Sequence, residues 1–545
     1  MLLYHMDLKF TMYKKEYIKS WFKRLKDSGF DGVVIEIDNK LVFPSHQDFA
    51  AKDALPADEW NDIIKYGKNL GLIIYPLLQT LGHMEHVLKC DGKYDYLAEN
   101  PGKAYMFCPS KKSTLNFIKD LIKDLIDIFD KPGIIHLGGD EVYGHMEGKG
   151  IKKCPICIHK DSGELLNNYL LNLAEFCIEQ GVRPEFWADE ILSFPTHIDK
   201  FPKATRFVDW YYRRTERYSD VVGLLWGARY LSNKPITNDF AEKIPERLKC
   251  LLPYVVKEGN KFNNFYGAEF IIDKGYEVSL GSAVRFSGDC YAVPRIDAGS
   301  KNVMISEAVS KELKCNHLVT SWAVRLSHPE ATWPSLRAVN ISNWKKAGEK
   351  FEPTNMWDGK DADGKKFIEE YIAAPLGDIT FEQLLLLNDV SNNGIFGIDI
   401  AIEENSRFER PYYDDYSRRV YEIWAGDNKN EIIEMLKKRI DSGKQILPVL
   451  QKNLNEGKGE RDCIRHWIVG TELCILRSEQ VLTIIDAYAN GLNKEKVKEL
   501  IERNKKLMKD FEELWSETVT EYSLEQEKEV KFKRDLRILE NLLCE

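Results

Sequence analysis

Asp140 and Glu141 stand side by side where an apolar run, Ile134 to Leu137, meets the paired glycines Gly138 and Gly139. Two carboxylates at the end of a buried strand are candidates for acid and base work. In a regular strand neighbouring side chains point to opposite faces, so these two can share one pocket only where the strand breaks into a loop. Glycine tolerates the backbone angles and close approaches that such a break requires. Acids on consecutive residues cannot easily straddle a sugar ring, whereas the usual retaining pair lies about 5 Å apart across the scissile bond. A different division of labour is implied.

Such a pair needs a scaffold, and the first 325 residues supply one. Apolar runs of strand length recur near 2–9, 32–38, 72–79, 134–140, 184–189, 206–212, 278–286 and 317–324. Amphipathic segments of helical length fall between them at 15–28, 57–70, 113–129 and 163–180, several of them stopping at a glycine. Strand and helix alternating eight times predicts a closed parallel (β/α)8 barrel. The long stretch 213–277 is an insertion between strands six and seven. Beyond about Pro353 the texture changes, with a polar linker at 358–365 and helical patterns at 429–440, 463–489, 494–515 and 524–543. The expected organisation is a barrel domain over 1–352 and a mostly α-helical domain over 353–545.

Composition narrows the class. At 545 residues, 43% hydrophobic and 30% charged, the chain has material for an ample core. A net charge of −9, with lysines and arginines interspersed among acids, argues against a nucleic-acid partner. No apolar run reaches the roughly 20 residues that span a bilayer. The opening Met-Leu-Leu-Tyr-His-Met-Asp lacks the pattern of a secretory signal, and eleven cysteines over a long chain suit reduced thiols, so a cytoplasmic location is expected. Charge-rich faces of the C-terminal helices read as solvated surface and are compatible with a homodimer contact.

Chemistry in a barrel collects at the C-terminal ends of its strands. Here those ends carry Asp7 and Lys9, Glu36 and Asp38, Gln79 and His83, Asp140 and Glu141, Trp187 and Asp189, Trp210 and Tyr212, Phe286 and Tyr291, and Trp322 and Arg325. Carboxylates mixed with aromatics suit a carbohydrate, whose apolar face packs on a ring while its hydroxyls need polar partners. His83-Met-Glu-His86 lacks the order of a metalloprotease helix, and no cofactor or catalytic metal is expected. Cys154-Pro-Ile-Cys157 with His159 is half a zinc site that Cys90 and Cys108 would have to complete; free thiols are the reading preferred.

His-Leu-Gly-Gly-Asp-Glu (136–141) resembles the signature of family-20 glycoside hydrolases, the β-N-acetylhexosaminidases. The hexosaminidase D branch is the nearest likeness, through His-Met-Asp-Leu-Lys (5–9), Ile-Glu-Ile-Asp (35–38) and the stretch 76–89. The resemblance implies retention assisted by the substrate, whose own 2-acetamido oxygen attacks the anomeric carbon. Glu141 would then be the general acid and base, with its pKa raised by burial and by the charge of Asp140, and Asp140 would orient the acetamido group. It implies further that Tyr212, with Tyr211 one residue away, donates to the acetamido oxygen. Trp187, Trp210 and Trp322 would wall the pocket, and His83, backed by Glu36 or Asp38, would tune the acid. Asp189 joins the sugar-binding set. Two departures touch hydroxyl recognition: Lys9 occupies the neighbourhood of an arginine common in the family, and Ser-Trp-Ala-Val (321–324) lacks a glutamate. A galactosamine substrate is favoured by the resemblance, and a 6-sulfated sugar paired with Lys9 or Arg325, or a sugar-binding barrel without turnover, are the alternatives.

Overall fold

The computed structural model describes residues 1–101, 105–142, 154–286, 292–322, 327–339, 356–391 and 429–544. Its strands are β1 (Leu2–Asp7), β2 (Gly32–Glu36), β3 (Ile73–Leu77), β4 (Ile134–His136), β5 (Arg183–Trp187), β6 (Arg206–Trp210), β7 (Tyr218–Ser219), β8 (Val256–Lys257), β9 (Lys261–Asn263), β10 (Glu277–Arg285) and β11 (Asn316–Ser321). Eight of them close a barrel in the order β1-β11-β10-β6-β5-β4-β3-β2, and the registered pairs run parallel. All eight expected strands are present, and the fold is a TIM barrel with a helical C-terminal region.

Strands buried on both faces read as continuous apolar runs, and β2, Gly-Val-Val-Ile-Glu, is buried at every residue. A methyl group on Gly32 would come within 2.4 Å of the Ile73 carbonyl oxygen, so β2 and β3 pair there only around a glycine. The surrounding helices Lys15–Asp27, Ala57–Asn69, Lys112–Ile128 and Ser162–Glu179 match their expected spans within a residue or so at each end. Lys112–Ile128 shows why: Phe117, Ile118, Leu121, Ile122 and Leu125 form one buried stripe at helical spacing. The insertion supplies β7, β9 and β8 as a small antiparallel sheet, together with short helical turns.

The chain divides into two compact units: Met1–Lys9, Lys15–Ser282 and Ile305–Thr320 in one, and Phe10–Lys14, Ala283–Met304 and Ser321–Glu545 in the other. The second is built on Lys429–Asn455, Arg461–Asn490, Lys494–Trp515 and Glu521–Lys528, the last leading through a π-helical turn into Arg534–Cys544. A Gly443 methyl would meet the Ile475 side chain at 2.8 Å, so the first two of these helices touch closely at a glycine. Arg477 and Asp535 form a buried ion pair, and the Trp467 indole donates to the Ala331 carbonyl at 3.0 Å. Part of the expected linker is ordered instead as the helix Ala362–Phe367, because Asp361 caps it through the Asp363 amide. Among the described residues no helix is long and apolar enough to cross a membrane.

Candidate active site

The end of β4 breaks into a loop as its glycines allow. Gly138 and Gly139 take φ of 60° and 86°, and Glu141 itself takes 56°. A side chain at Gly138 would lie 2.1 Å from Gln79 Oε1, so close approach fixes that residue as well as conformation. The loop is held on both sides: the Thr80 hydroxyl donates to the Leu137 carbonyl at 2.6 Å, and the Trp187 amide donates to the Gly138 carbonyl at 3.1 Å.

This backbone brings the two carboxylates around one imidazole. His83 Nε2 lies 3.4 Å from Asp140 and 3.5 Å from Glu141, with the Tyr105 hydroxyl also at 3.4 Å. Burial works against a charged His83, yet the Asp140 charge and hydrogen bonds to both acids push its pKa up to about 10. Asp140 is nearly buried, its side chain 8% exposed, whereas that of Glu141 is 46% exposed. Asp140 Oδ1 is buried and accepts no hydrogen bond from the described residues.

A second acidic pair, Asp189 and Glu190, pins the first. The Glu141 amide donates to Asp189 at 2.8 Å and the Val142 amide to Glu190 at 2.7 Å. Asp189 also accepts from the Trp210 indole at 3.2 Å. Burial, then the neighbouring Asp140 charge, raises the Asp189 pKa to about 7. Both Asp189 oxygens therefore serve to hold the loop and an indole. Trp210 in turn stacks on Tyr212, with centroids 5.1 Å apart, and leans on Trp226 at 4.8 Å.

At the ends of β1 to β3, Lys9 Nζ lies 3.7 Å from Asp38 and 4.0 Å from Glu36. Glu36 accepts from Gln79 at 3.2 Å and bonds His5 at 2.9 Å. The imidazole beside Asp38 belongs to His86, at 3.8 Å, so the expected support of His83 by Glu36 or Asp38 is replaced by contacts to Asp140, Glu141 and Tyr105. Burial raises the Glu36 pKa to about 8 against the pull of Lys9. A carboxyl whose folded pKa is raised contributes stability below its unfolded value that is lost as pH rises through the folded one. Glu36→Gln, which mimics the protonated acid, is expected to stay within about 1 kcal/mol of wild type at pH 5 and to gain on it by a few kcal/mol by pH 8.5. Urea midpoints at the two pH values measure this; parallel behaviour of the two proteins would mean that Glu36 is ionised throughout.

A cleft of about 600 Å³ opens beside the loop, lined by Glu141, Asp189, Glu190, Trp226, Arg229 and Arg247, among others. The Arg229 guanidinium lies 4.5 Å from the Trp226 ring centroid. Trp226, Arg229 and Arg247 come from the insertion, which sequence reasoning did not resolve. The repeat of Asp-Glu at 189–190 was a signal for the loop clamp that could have been read. Trp187 is 1% exposed and packs at 4.4 Å on His136 in the barrel interior. Trp322 follows β11 in the second unit, where its amide donates to the Arg285 carbonyl at 2.9 Å. Tyr291 and Arg325 lie outside the described residues.

Residues 44–222 match the family model described as glycosyl hydrolase family 20, catalytic domain. The chain is similar to hexosaminidase D of Bos taurus, 30% identical over 150 residues that make 27% of this chain and 43% of that protein. With hexosaminidase D of Homo sapiens it shares 26% over 198 residues, 36% of this chain and 40% of that one. The chain thus spans about two-fifths of the length of these relatives. Among solved structures it resembles Flavobacterium johnsoniae chitobiase at 15% identity and TM-score 0.46, over 92% of this chain and 74% of that one. For β-N-acetylhexosaminidase from Bacteroides fragilis the values are 16% and 0.45, over 65% and 68%.

The matched segment contains β3 to β6 and so holds His83, Asp140, Glu141, Asp189, Trp210 and Tyr212. Lys9, Glu36, Asp38 and Trp322 lie outside it. The matched residues thus include His83 and both carboxylates that meet it.

Proposed function

We propose that this protein is an exo-acting, retaining β-N-acetylhexosaminidase that removes a terminal β-linked N-acetylgalactosamine or N-acetylglucosamine with help from the sugar itself. The observation that carries the reading is Asp140 Oδ1, a buried acceptor without a donor among the described residues, one residue from a carboxylate that lines a cleft. An amide N–H of a 2-acetamido group is the donor it suits. Held there, the acetamido oxygen attacks the anomeric carbon, the glycosidic bond breaks, and an oxazolinium ring forms without a protein nucleophile.

In this reading Glu141 gives its proton to the departing oxygen and then takes one from the attacking water. The protein leaves this side chain 46% exposed, so burial by the chain does not supply the environment expected for an acid. Exclusion of water by the bound sugar would supply it. Asp140 stays anionic to hold the N–H and to face the positive ring, and His83 gives that charge a partner. Tyr212, stacked on Trp210, would donate to the acetamido oxygen, with Trp210 as a wall and Trp187 as a floor. Asp189 would act through Glu141 by fixing its amide, and Lys9 with Glu36 and Asp38 would meet hydroxyls.

A panel of p-nitrophenyl glycosides tests this. The 2-acetamido sugar should turn over at least about 100-fold faster than its 2-hydroxy counterpart, because an internal nucleophile converts a bimolecular step to an intramolecular one. Equal rates would remove the acetamido group from the mechanism, and binding by calorimetry without sugar release would make the barrel a lectin. A second reading rests on Arg229 and Arg247 in the cleft wall, which suit an anionic, 6-sulfated amino sugar. The sulfated member of the same panel decides it, since preference over the plain sugar is expected only if those cations reach the sulfate.

A further inference from the structure

Two connections of the barrel meet away from the carboxylate pair. The one after β3 folds back on itself through a bridge between Ala98 and Phe107, with the Glu99 amide donating to Met106 and the Cys108 amide to Leu97. This sets Glu99 and Cys108 side by side. The one after β4 closes a tight turn at Cys154-Pro-Ile-Cys157, in which the Ile158 amide donates to the Cys154 carbonyl at 3.1 Å. One ligand atom from each of Glu99, Cys108, Cys154 and Cys157 lies within 4.8 Å of all the others, and all four residues are buried.

The cluster differs from the arrangement weighed from sequence. Cys90 takes no part and donates its thiol to the Asp48 carbonyl, His159 is exposed, and a carboxylate takes the fourth place. The Cys154 amide donates to Glu99 Oε1 at 3.2 Å, while Glu99 Oε2 is buried without a hydrogen-bond partner among the described residues. A carboxylate is costly to bury unless a positive charge or donors meet it. Cys108 and Cys157 sulfurs are 3.5 Å apart, well beyond the roughly 2.05 Å of a disulfide. Tetrahedral zinc with sulfur at about 2.3 Å and oxygen at about 2.1 Å sets its donors about 3.6–3.8 Å from one another. With all four ligand atoms within 4.8 Å of one another, reaching that spacing takes shifts of about 1 Å. Thiolate donors disfavour calcium and magnesium, which take oxygen.

We propose that Glu99, Cys108, Cys154 and Cys157 bind one structural zinc ion. Binding Zn²⁺ releases three thiol protons to solvent and leaves three thiolates and one carboxylate on the metal. The Ser110 hydroxyl, 3.2 Å from the Cys157 sulfur, is placed to donate to a thiolate. The consequence is positional. His83 and Tyr105 belong to the first connection and Asp140 and Glu141 to the second, so the ion ties the imidazole's loop to the carboxylates' loop. The site itself is independent of the proposed hydrolysis.

Full-length protein purified in reductant without a metal-affinity step is analysed for bound metal. Zinc near one per chain is expected, falling at least about tenfold in Cys108→Ser and Cys154→Ser and unchanged in Cys177→Ser, whose thiol is buried elsewhere. Because the wild-type content needs no variant, misfolding of a serine mutant leaves the test intact. Metal-stripped wild type given Co²⁺ should show thiolate charge-transfer absorption and the visible bands of a tetrahedral ion. A wild-type protein that holds no zinc and takes no cobalt, or zinc that survives both substitutions undiminished, overturns the proposal. So does peptide mapping that finds Cys108 and Cys157 joined as a disulfide. Loss of glycosidase activity plays no part in the outcome, so this site and the hydrolase reading stand or fall separately.

Discussion

Replacing Glu141 with glutamine is expected to lower turnover of an N-acetylhexosaminide with an alkyl or sugar aglycone by roughly 10²–10⁴-fold. Glutamine preserves the shape of the side chain and its half-exposed position but can neither give nor take the proton. The loss should depend on the leaving group. A p-nitrophenolate departs with little protonation, so the deficit for that substrate falls on the water-attack step, for which the proposed mechanism makes Glu141 the base. Aryl and alkyl glycosides measured side by side in the variant should therefore diverge much more than in wild type. An unchanged kcat with either one would take Glu141 out of the proton transfers. Folding is a small concern, because the Glu141 backbone is held through its own amide and that of Val142.

Asp140→Asn is the second large effect. In the proposed mechanism, an asparagine turned to offer its NH₂ would present a donor where the substrate brings another, and the negative charge facing the oxazolinium ring would be gone. Removing one such electrostatic contact from a closed site typically costs about 10²–10³ in kcat. His83 would also lose the partner that most favours its charged form, so its pKa should fall from about 10 toward the ordinary imidazole range. Loss of turnover with His83 titrating nearer neutrality, followed by NMR of labelled histidine, is the joint result expected. Retained turnover alongside a shifted His83 would leave Asp140 as support for the imidazole alone.

The barrel was legible because its strands are apolar without interruption and its helices carry one buried stripe each. Legibility failed where a local signal points the wrong way. The helical pattern reads as 429–440, yet Lys429–Asn455 runs on through Gly443 and Pro448, and Gly443 is there for close contact with Ile475. The run 134–140 reads as one strand, but β4 ends at His136 because Gly138 and Gly139 turn left-handed. For the site, the type and position of Asp140, Glu141 and His83 were visible, whereas their partners were not. Which histidine meets Asp38, or which acid meets the Glu141 amide, depends on how loops from different strands lie against one another. Glu99 and Cys108 illustrate this, since nothing in the spacing of 99, 108, 154 and 157 brings them together until the Ala98–Phe107 bridge forms.

Asp38, His83 and Glu141, at the ends of three successive strands, all hold φ between 41° and 57°. Side chains in that region strain the chain by about 1 kcal/mol or more each, and glycine would relieve it. The barrel thus forgoes robustness at the very rim where its acids and imidazole must project, and a variant selected only for heat resistance would drift toward glycine at these places. Sturdiness and reactivity draw on the same few torsions, so improving one by local change diminishes the other.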